Sequence, residues 1–335
     1  MNLNSSQNTC RSDVKASAFS GVLASRSTRV LLIGATGFIG NRILRALQAR
    51  NDVLISIVAR RPTDFISAPL PKIFIGDVSD PESLGPAVKN ADVVINAASY
   101  VGNEPKMAHY VNHRGALSVI EACRKSNVQR IVHISSTAVY GSGPHRATSP
   151  WEATFRPESE VSRSRALGDA AMLAAGGIVI RPNLVYGPGD RWFIPGAVRM
   201  FTTLGTNLEN GRALLSTIDV ADLGRLVAAL AVTASHVSGA FHAANPKPIA
   251  LAQLLATIDR HIAPLMARGN SRIEEAIRTL EPAGFSPHQI KMLGLDHHYQ
   301  SHELWDMACL PSTSFEVSPE AMLWYRSRVA STRPS

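Results

Sequence analysis

The chain changes character at Thr28. The first 27 residues show no apolar periodicity, are rich in serine and asparagine and poor in acids, and are expected to form a leader outside the folded part. Then an apolar run, Val30-Leu31-Leu32-Ile33, meets a glycine-rich turn, and Ile43, Leu44 and Leu47 follow at helical spacing. This pattern predicts strand, turn, helix. Further strands are expected at residues 54–58, 72–75, 91–96, 130–134 and 177–181, and helices at 115–126, 162–175, 221–234, 251–261 and 271–280. Strands alternating with helices imply a parallel sheet covered on both faces, so the fold class is α/β, a Rossmann-like doubly wound parallel sheet with a smaller C-terminal substrate-binding lobe. Residues 28–181 are expected to form mainly the nucleotide-binding domain, and residues 182–335 mainly the lobe, with excursions back to the sheet. Pro182, Pro188, Pro195, Pro246, Pro248 and Pro264 punctuate that second half.

Composition narrows the function. With 335 residues, 45% hydrophobic and 18% charged, the chain has ample material for a core and is not a disordered protein. It has no uncharged apolar stretch of about 18 residues, so no membrane-spanning helix is expected. Lys+Arg exceed Asp+Glu by 34 to 26, a formal +8, which suits an anionic partner. The basic residues form neither a block nor a stripe interleaved with aromatics, which argues against nucleic acid. Three distant cysteines, Cys10, Cys123 and Cys309, form no disulfide framework or zinc knuckle and fit a reducing, cytoplasmic setting.

Gly34-x-x-Gly37-x-x-Gly40 follows a strand and opens a helix, where a dinucleotide site needs it. Its glycines permit a tight turn and close approach of a pyrophosphate, and the helix N-terminus offers N–H donors. Thr36, Phe38 and Ile39 belong to the same cradle. An NAD-selective site would carry an acid at the end of the second strand, to hold the ribose 2′-hydroxyl; here Ala59 precedes Arg60 and Arg61, which can receive a 2′-phosphate. NADP(H) is therefore expected over NAD(H). Asp77 and Val78 after the third strand, and Ala97 and Ala98 after the fourth, fall at strand ends where open parallel sheets bind ligands.

These motifs, with Val111-Asn112-His113-Arg114-Gly115, His133-Ile134-Ser135-Ser136-Thr137-Ala138-Val139-Tyr140-Gly141, Arg181-Pro182-Asn183-Leu184-Val185-Tyr186-Gly187 and Ile218-Asp219-Val220-Ala221-Asp222, resemble the extended short-chain dehydrogenases/reductases, in particular the epimerase/dehydratase branch. The resemblance spans residues 29–245, and more loosely the C-terminal lobe. It implies that Ser136 hydrogen-bonds a substrate carbonyl and that Asn112 is a structural or relay residue. Arg181 and Asn183 to Gly187 would line the junction of cofactor and substrate, with Pro182 on the cofactor side and Asn183, Val185 and Tyr186 on the substrate side. It also implies a homodimer through the helices at 106–126 and 162–175, the latter presenting Ala166, Ala170, Ala171, Ala174 and Ala175.

One departure is large. The family's Tyr-x-x-x-Lys pair, a proton donor and the cation that lowers its pKa and holds ribose, is replaced by Val161 and Arg165. No register slip restores it, because no tyrosine occurs between 141 and 185 and no lysine between 126 and 246. Valine cannot transfer a proton; Arg165 keeps a charge for the cofactor but stays protonated. Thr137, Tyr140, Glu152 and Glu160 are the candidate substitutes, a carboxylate qualifying if burial raises its pKa. Each glutamate has the alternative of a solvated loop charge.

His297, His298 and His302 are read as pocket or surface histidines rather than metal ligands, although His298 and His302 have the spacing of one helix face. Three functions stay open: an NADP(H)-dependent reductase or dehydrogenase of a small carbonyl or hydroxyl compound, a non-redox isomerase, dehydratase or cyclase, and a silent NADP(H)-binding sensor.

Overall fold

A computed structural model describes residues 27–63, 68–233 and 237–331. All but the last residue of the expected leader lie outside that range. The strands in chain order are Thr28–Ile33 (β1), Val53–Ala59 (β2), Lys72–Ile75 (β3), Val93–Asn96 (β4), Arg130–Ile134 (β5), His145–Thr148 (β6), Ile178–Pro182 (β7), Leu184–Tyr186 (β8), Asn207–Leu208 (β9), Leu214–Leu215 (β10), Thr217–Asp219 (β11), Gly239–Ala243 (β12), Ile249–Ala250 (β13), Asn270–Ser271 (β14) and His297–Tyr299 (β15). The helices are Phe38–Gln48 (α1), Pro81–Val88 (α2), Pro105–Ala108 (α3), Gly115–Lys125 (α4), Glu160–Ala174 (α5), Phe193–Leu204 (α6), Val220–Val232 (α7), Leu251–His261 (α8), Ile273–Leu280 (α9), Pro287–Gly294 (α10), His302–Met307 (α11) and Pro319–Ser331 (α12).

Seven strands form the main sheet in the order β12-β7-β5-β4-β1-β2-β3, every neighbouring pair parallel. The order reverses at β1, so the loops leaving β1 and β4 diverge and open a crevice at their C-terminal ends. Each central strand is buried on both faces. Val30, Leu32, Ile57, Ile95, Val132, Ile134 and Ile180 meet α1 and α7 on one side; Leu31, Ile33, Val58, Val94 and Val179 meet α2, α4 and α5 on the other. That is why β1 and β4 read as unbroken apolar runs rather than alternations. Each such side chain, fully buried, stabilises the sheet by about 1.5–3 kcal/mol. Gly224 lets α7 lie directly on α1: a Cβ there would stand 2.6 Å from the Arg42 carbonyl oxygen.

The helix expected across residues 106–126 is interrupted. α3 is a single turn, His109–Arg114 is a π-helical turn, and only then does α4 begin. A second apolar core, built from Ile194, Phe201, Leu208, Leu251, Leu254, Ile258, Leu280 and Ile290, gathers α6, α8, α9 and α10. The chain beyond residue 182 alternates between the two cores, since β12, α7 and α11 pack with the main sheet. A four-stranded sheet, β13-β10-β15-β6, joins β6 from the first half to β15 from the last. Among the described residues no helix is long and apolar enough to cross a membrane.

Candidate active site

The glycine motif forms a cradle that side chains would fill. Gly34 has φ +86°, and a Cβ on it would stand 2.6 Å from the Ala98 nitrogen and 2.7 Å from the Ala97 carbonyl carbon. Ala97 and Ala98, both half-buried, are thus the wall against which the turn after β1 rests. A Cβ on Gly40 would overlap the Gly34 carbonyl. Gly37 is the N-cap of α1, its own N–H held by Gly34 O at 3.0 Å. No side chain caps this helix and no acid lies in its first turn, so Phe38 and Ile39 can offer their N–H groups to an anion, beside exposed Thr36. A dinucleotide pyrophosphate fits these features.

Around the cradle, Ala59 is buried at the end of β2, while Arg60 and Arg61 are exposed and unpaired by any acid among the described residues. Asp77 uses its carboxylate on its own turn, accepting from the Ser79 N–H at 2.9 Å and the Ser79 hydroxyl at 2.8 Å. Val78 is core: a Cβ on Gly115 would stand 2.9 Å from its Cγ2.

The loop leaving β4 is tied to α5 through Asn112. This buried amide accepts from the Tyr100 N–H at 2.8 Å and the Ser99 hydroxyl at 3.1 Å, and donates to Tyr100 O and Ser164 Oγ, both at 3.1 Å. Arg165, one turn beyond Val161 on α5, donates Nε and Nη2 to Ser99 Oγ at 3.2 and 3.0 Å. It is half-buried, and desolvation pulls its pKa below the ordinary arginine value. Val161, Glu160, Ser159, Glu104, Pro105 and Ala108 line a cleft of about 220 Å³ between this loop and the start of α5.

Ser136 follows β5 in extended backbone and is half-buried, its oxygen accepting from the Ala138 N–H at 3.2 Å. Thr137 is committed elsewhere: its hydroxyl donates to Asn183 Oδ1 at 2.6 Å, and the Asn183 amide donates in turn to the carbonyls of Ser216 and His297. Pro182 is buried at the end of β7 and Val185 is half-buried. Tyr186 is buried, its hydroxyl accepting from the Glu316 N–H and its ring edge-on to Phe315 at 5.0 Å. Neither Thr137 nor Tyr186 lines the cleft beside Val161.

Neither candidate glutamate is buried. Glu152 is exposed and receives the Ser149 hydroxyl at 2.7 Å and N–H at 3.1 Å, donors that lower its pKa instead. Glu160 is exposed and pairs with Arg163 at 3.0 Å. Tyr140 is 1% exposed; its hydroxyl receives Arg181 Nη1 and meets His242 Nε2, both at 2.8 Å. Burial pushes this phenol up to about 12.

Tyr140 belongs to an interior network that periodicity could not reveal. Arg181 donates Nε to Asp169 at 2.8 Å, both side chains at most 2% exposed, and His133 Nε2 stands 3.8 Å from the other Asp169 oxygen. The available signal was polar residues, His133 and Arg181, in strands otherwise apolar. His297 and His298 lie in β15 whereas His302 opens α11, so His298 and His302 do not share a helix face despite their spacing. Among the described residues no three metal-ligating side chains converge.

A doubly wound sheet with an uncapped glycine cradle at its switch point defines a pyridine-nucleotide-binding protein. Residues 30–242 match the model of the NAD dependent epimerase/dehydratase family, and the chain belongs to that family. It is 28% identical over 201 residues to sterol-4-alpha-carboxylate 3-dehydrogenase, decarboxylating, of Saccharomyces cerevisiae, covering 54% of this chain and 57% of that protein. The chain thus spans little more than half the length of that relative. It is 26% identical over 276 residues to 2-alkyl-3-oxoalkanoate reductase of Stenotrophomonas maltophilia, covering 74% of this chain and 78% of that one. The structure resembles a UDP-glucose 4-epimerase of Thermus thermophilus solved with NAD, at TM-score 0.65 and 19% identity over 91% of this chain and all of that one, which shows the fold.

The buried histidines make stability depend on pH. Burial lowers His242 to about 3 and His297 to about 4, and depresses His133 and His145 as well. The unfolded chain takes up these protons below about pH 6.5 while the native state refuses them, so stability is full above pH 6.5 and falls as the pH drops towards the folded values. At pH 5 His242 alone should cost about 2 kcal/mol. Urea unfolding of the native protein and His242→Gln should differ in slope between pH 7 and 5, the variant being flatter; parallel profiles would contradict this.

Proposed function

We propose that the chain is an NADP(H)-dependent oxidoreductase of a small carbonyl or hydroxyl compound, working without the family's tyrosine. The observation that carries this reading is the pairing of an intact cradle with Ser136 at the end of β5 and the Arg165–Ser99 fork at the end of β4. The names of the two relatives, a dehydrogenase and a reductase, support it. When bound, the nicotinamide supplies or accepts the hydride. Ser136 donates to the substrate oxygen, and Arg165, held on Ser99, fixes the ribose side of the cofactor through its remaining N–H groups. Val161 gives the substrate an apolar wall where the phenol would stand. Tyr140 is buried in another network and Glu152 lies outside this cleft, whereas Glu160, paired with the equally exposed Arg163, stands at its rim and exchanges the proton with solvent. Asn183 and Thr137 position the strand ends rather than touch the substrate.

The apolar Val161 also supports a second reading, a non-redox isomerase, dehydratase or cyclase on the same cradle. Two variants test the site, the second of them separating the readings. Ser136→Ala should lower the rate by on the order of 10²–10³ under either enzymatic reading. Val161→Tyr with Arg165→Lys should damage native activity by crowding the wall, yielding little or no new carbonyl reduction; a gain of reduction instead would mark a redox site that had merely lost its donor. Activity indifferent to all these changes would place the chemistry elsewhere.

Arg60 and Arg61 underlie the coenzyme preference. Calorimetry should show tighter binding of NADP(H) than of NAD(H), the gap shrinking in Arg60→Ala. Equal affinities would remove the preference, and no binding of either would favour a silent protein.

The chain is further proposed to work in the cytoplasm, in keeping with free Cys123 and Cys309, and as a homodimer. Leu117 on α4 and Leu167 on α5 are 40% and 44% exposed, apolar area that a second copy would cover. Light scattering at micromolar concentration should give twice the chain mass, and Leu167→Arg should give monomer. A monomeric native protein would refute the assembly.

A further inference from the structure

The C-terminal segment returns to the nucleotide edge of the sheet and grips one loop there. Tyr325 of α12 is fully buried, its hydroxyl accepting from the Gly187 N–H at 2.7 Å and donating to Asp190 Oδ2 at 3.0 Å. The Asp190 carboxylate also accepts from the N–H groups of Trp192, Phe193 and Ile194 at 2.8, 2.9 and 2.9 Å, so one side chain both caps α6 and receives the tail. Trp324 Nε1 adds a bond to Asp190 O at 3.3 Å, and the Glu316 N–H reaches Tyr186 at 3.3 Å. Residues 186–190 are therefore clamped from outside.

Their inner side rests on the glycine motif. Gly189 has φ +105°, and a Cβ on it would stand 2.9 Å from the ring of Phe38, the first residue of α1. Glu320 of α12 pairs with Arg42 of α1 at 3.1 Å, tying the same two elements together a turn away. Gly187 and Gly189 both hold positive φ, a combination with wide freedom when unrestrained.

We infer that Tyr325 is a positioning residue for dinucleotide binding: it holds residues 186–190 at the height that sets Phe38 and the N-terminus of α1 for the pyrophosphate. This rests on the nucleotide reading of the preceding subsection. Without the hydroxyl, the buried Gly187 N–H loses its acceptor and the loop samples other positions, so the binding-competent fraction falls and the apparent Kd rises in proportion. Signals for this role are scarce in sequence, because Tyr325 lies 285 positions beyond Gly40.

The test is calorimetric titration of NADP⁺ into the full chain, native and substituted, well below each melting temperature. Tyr325→Phe, which keeps the ring, should raise Kd roughly 5- to 10-fold, the loss of one or two buried hydrogen bonds. Leu323→Ala, on the exposed side of the same helix, should bind as native does. Trp305→Phe removes the buried bond from Trp305 Nε1 to the Ala244 carbonyl at 2.7 Å, elsewhere in the tail, and controls for lost stability alone; it too should keep native affinity. A native Kd in Tyr325→Phe, or an equal loss in Trp305→Phe, would overturn the inference while leaving the nucleotide site in place. Failure of the native chain to bind NADP⁺ and NAD⁺ would instead overturn the nucleotide reading, and the inference with it.

Discussion

Asn112 is the bond on which the site's geometry turns. Its buried amide fills all its hydrogen-bonding capacity between the loop after β4 and α5, joining Ser99 and Tyr100 of the loop to buried Ser164. The elements can meet there because Gly168 lets α5 press against the π-helical turn, where a Cβ would stand 2.5 Å from the Asn112 carbonyl. π turns recur at functional sites, and this one ends immediately before α4. Losing the amide would leave the buried Ser164 hydroxyl and the half-buried Tyr100 backbone short of partners, at roughly 1–3 kcal/mol for a group that stays buried. It would also release Ser99, the one hydrogen-bonding partner the Arg165 guanidinium has among the described residues.

A second constraint lies deeper. Asp169 and Arg181 are an ion pair with almost no solvent contact, and removing either would leave a bare charge inside the sheet layer, a loss typically of about 3–5 kcal/mol. The pair draws Tyr140 and His242 into one buried polar cluster. Tyr140 thus serves as structure in this chain, while on the proposed reading Val161 stands where the family's reactive tyrosine would. In the proposed site the reacting groups are left with a hydroxyl, Ser136, a guanidinium, Arg165, and an apolar wall, Val161.

The nucleotide half was legible from sequence because its signals are local. An apolar run on both faces of β1, a glycine turn of fixed spacing and the helical period of Ile43, Leu44 and Leu47 each act within a dozen residues, and the expected strands β1 to β5 and β7 form close to their places, while β6 and β12 had no such signal. The cradle residues from Gly34 to Gly40 follow from the same argument. Side-chain roles were less legible, because they depend on partners far along the chain. Thr137 is taken by Asn183, Glu152 by Ser149 and Tyr140 by Arg181, and none of these pairings leaves a periodic trace. The tail was opaque for the same reason: β15 pairs with a strand some 150 residues earlier, and α12 caps a loop some 135 residues earlier. His298 and His302 have the spacing of a helix face only because spacing cannot distinguish a short strand followed by a turn from a helix.

The central claim is that the cofactor cradle is kept while the phenol's place is filled by a wall. A crystal structure with NADP⁺ bound tests it most directly, by showing what stands around nicotinamide C4. The account predicts the pyrophosphate at the N-terminus of α1, Arg165 on the nicotinamide ribose, Ser136 Oγ and Val161 facing the open side of the ring, and no tyrosine within hydrogen-bonding distance of that space. A nucleotide bound away from Gly34 to Gly40, or Tyr140 swung out of its buried cluster to face C4, would contradict it.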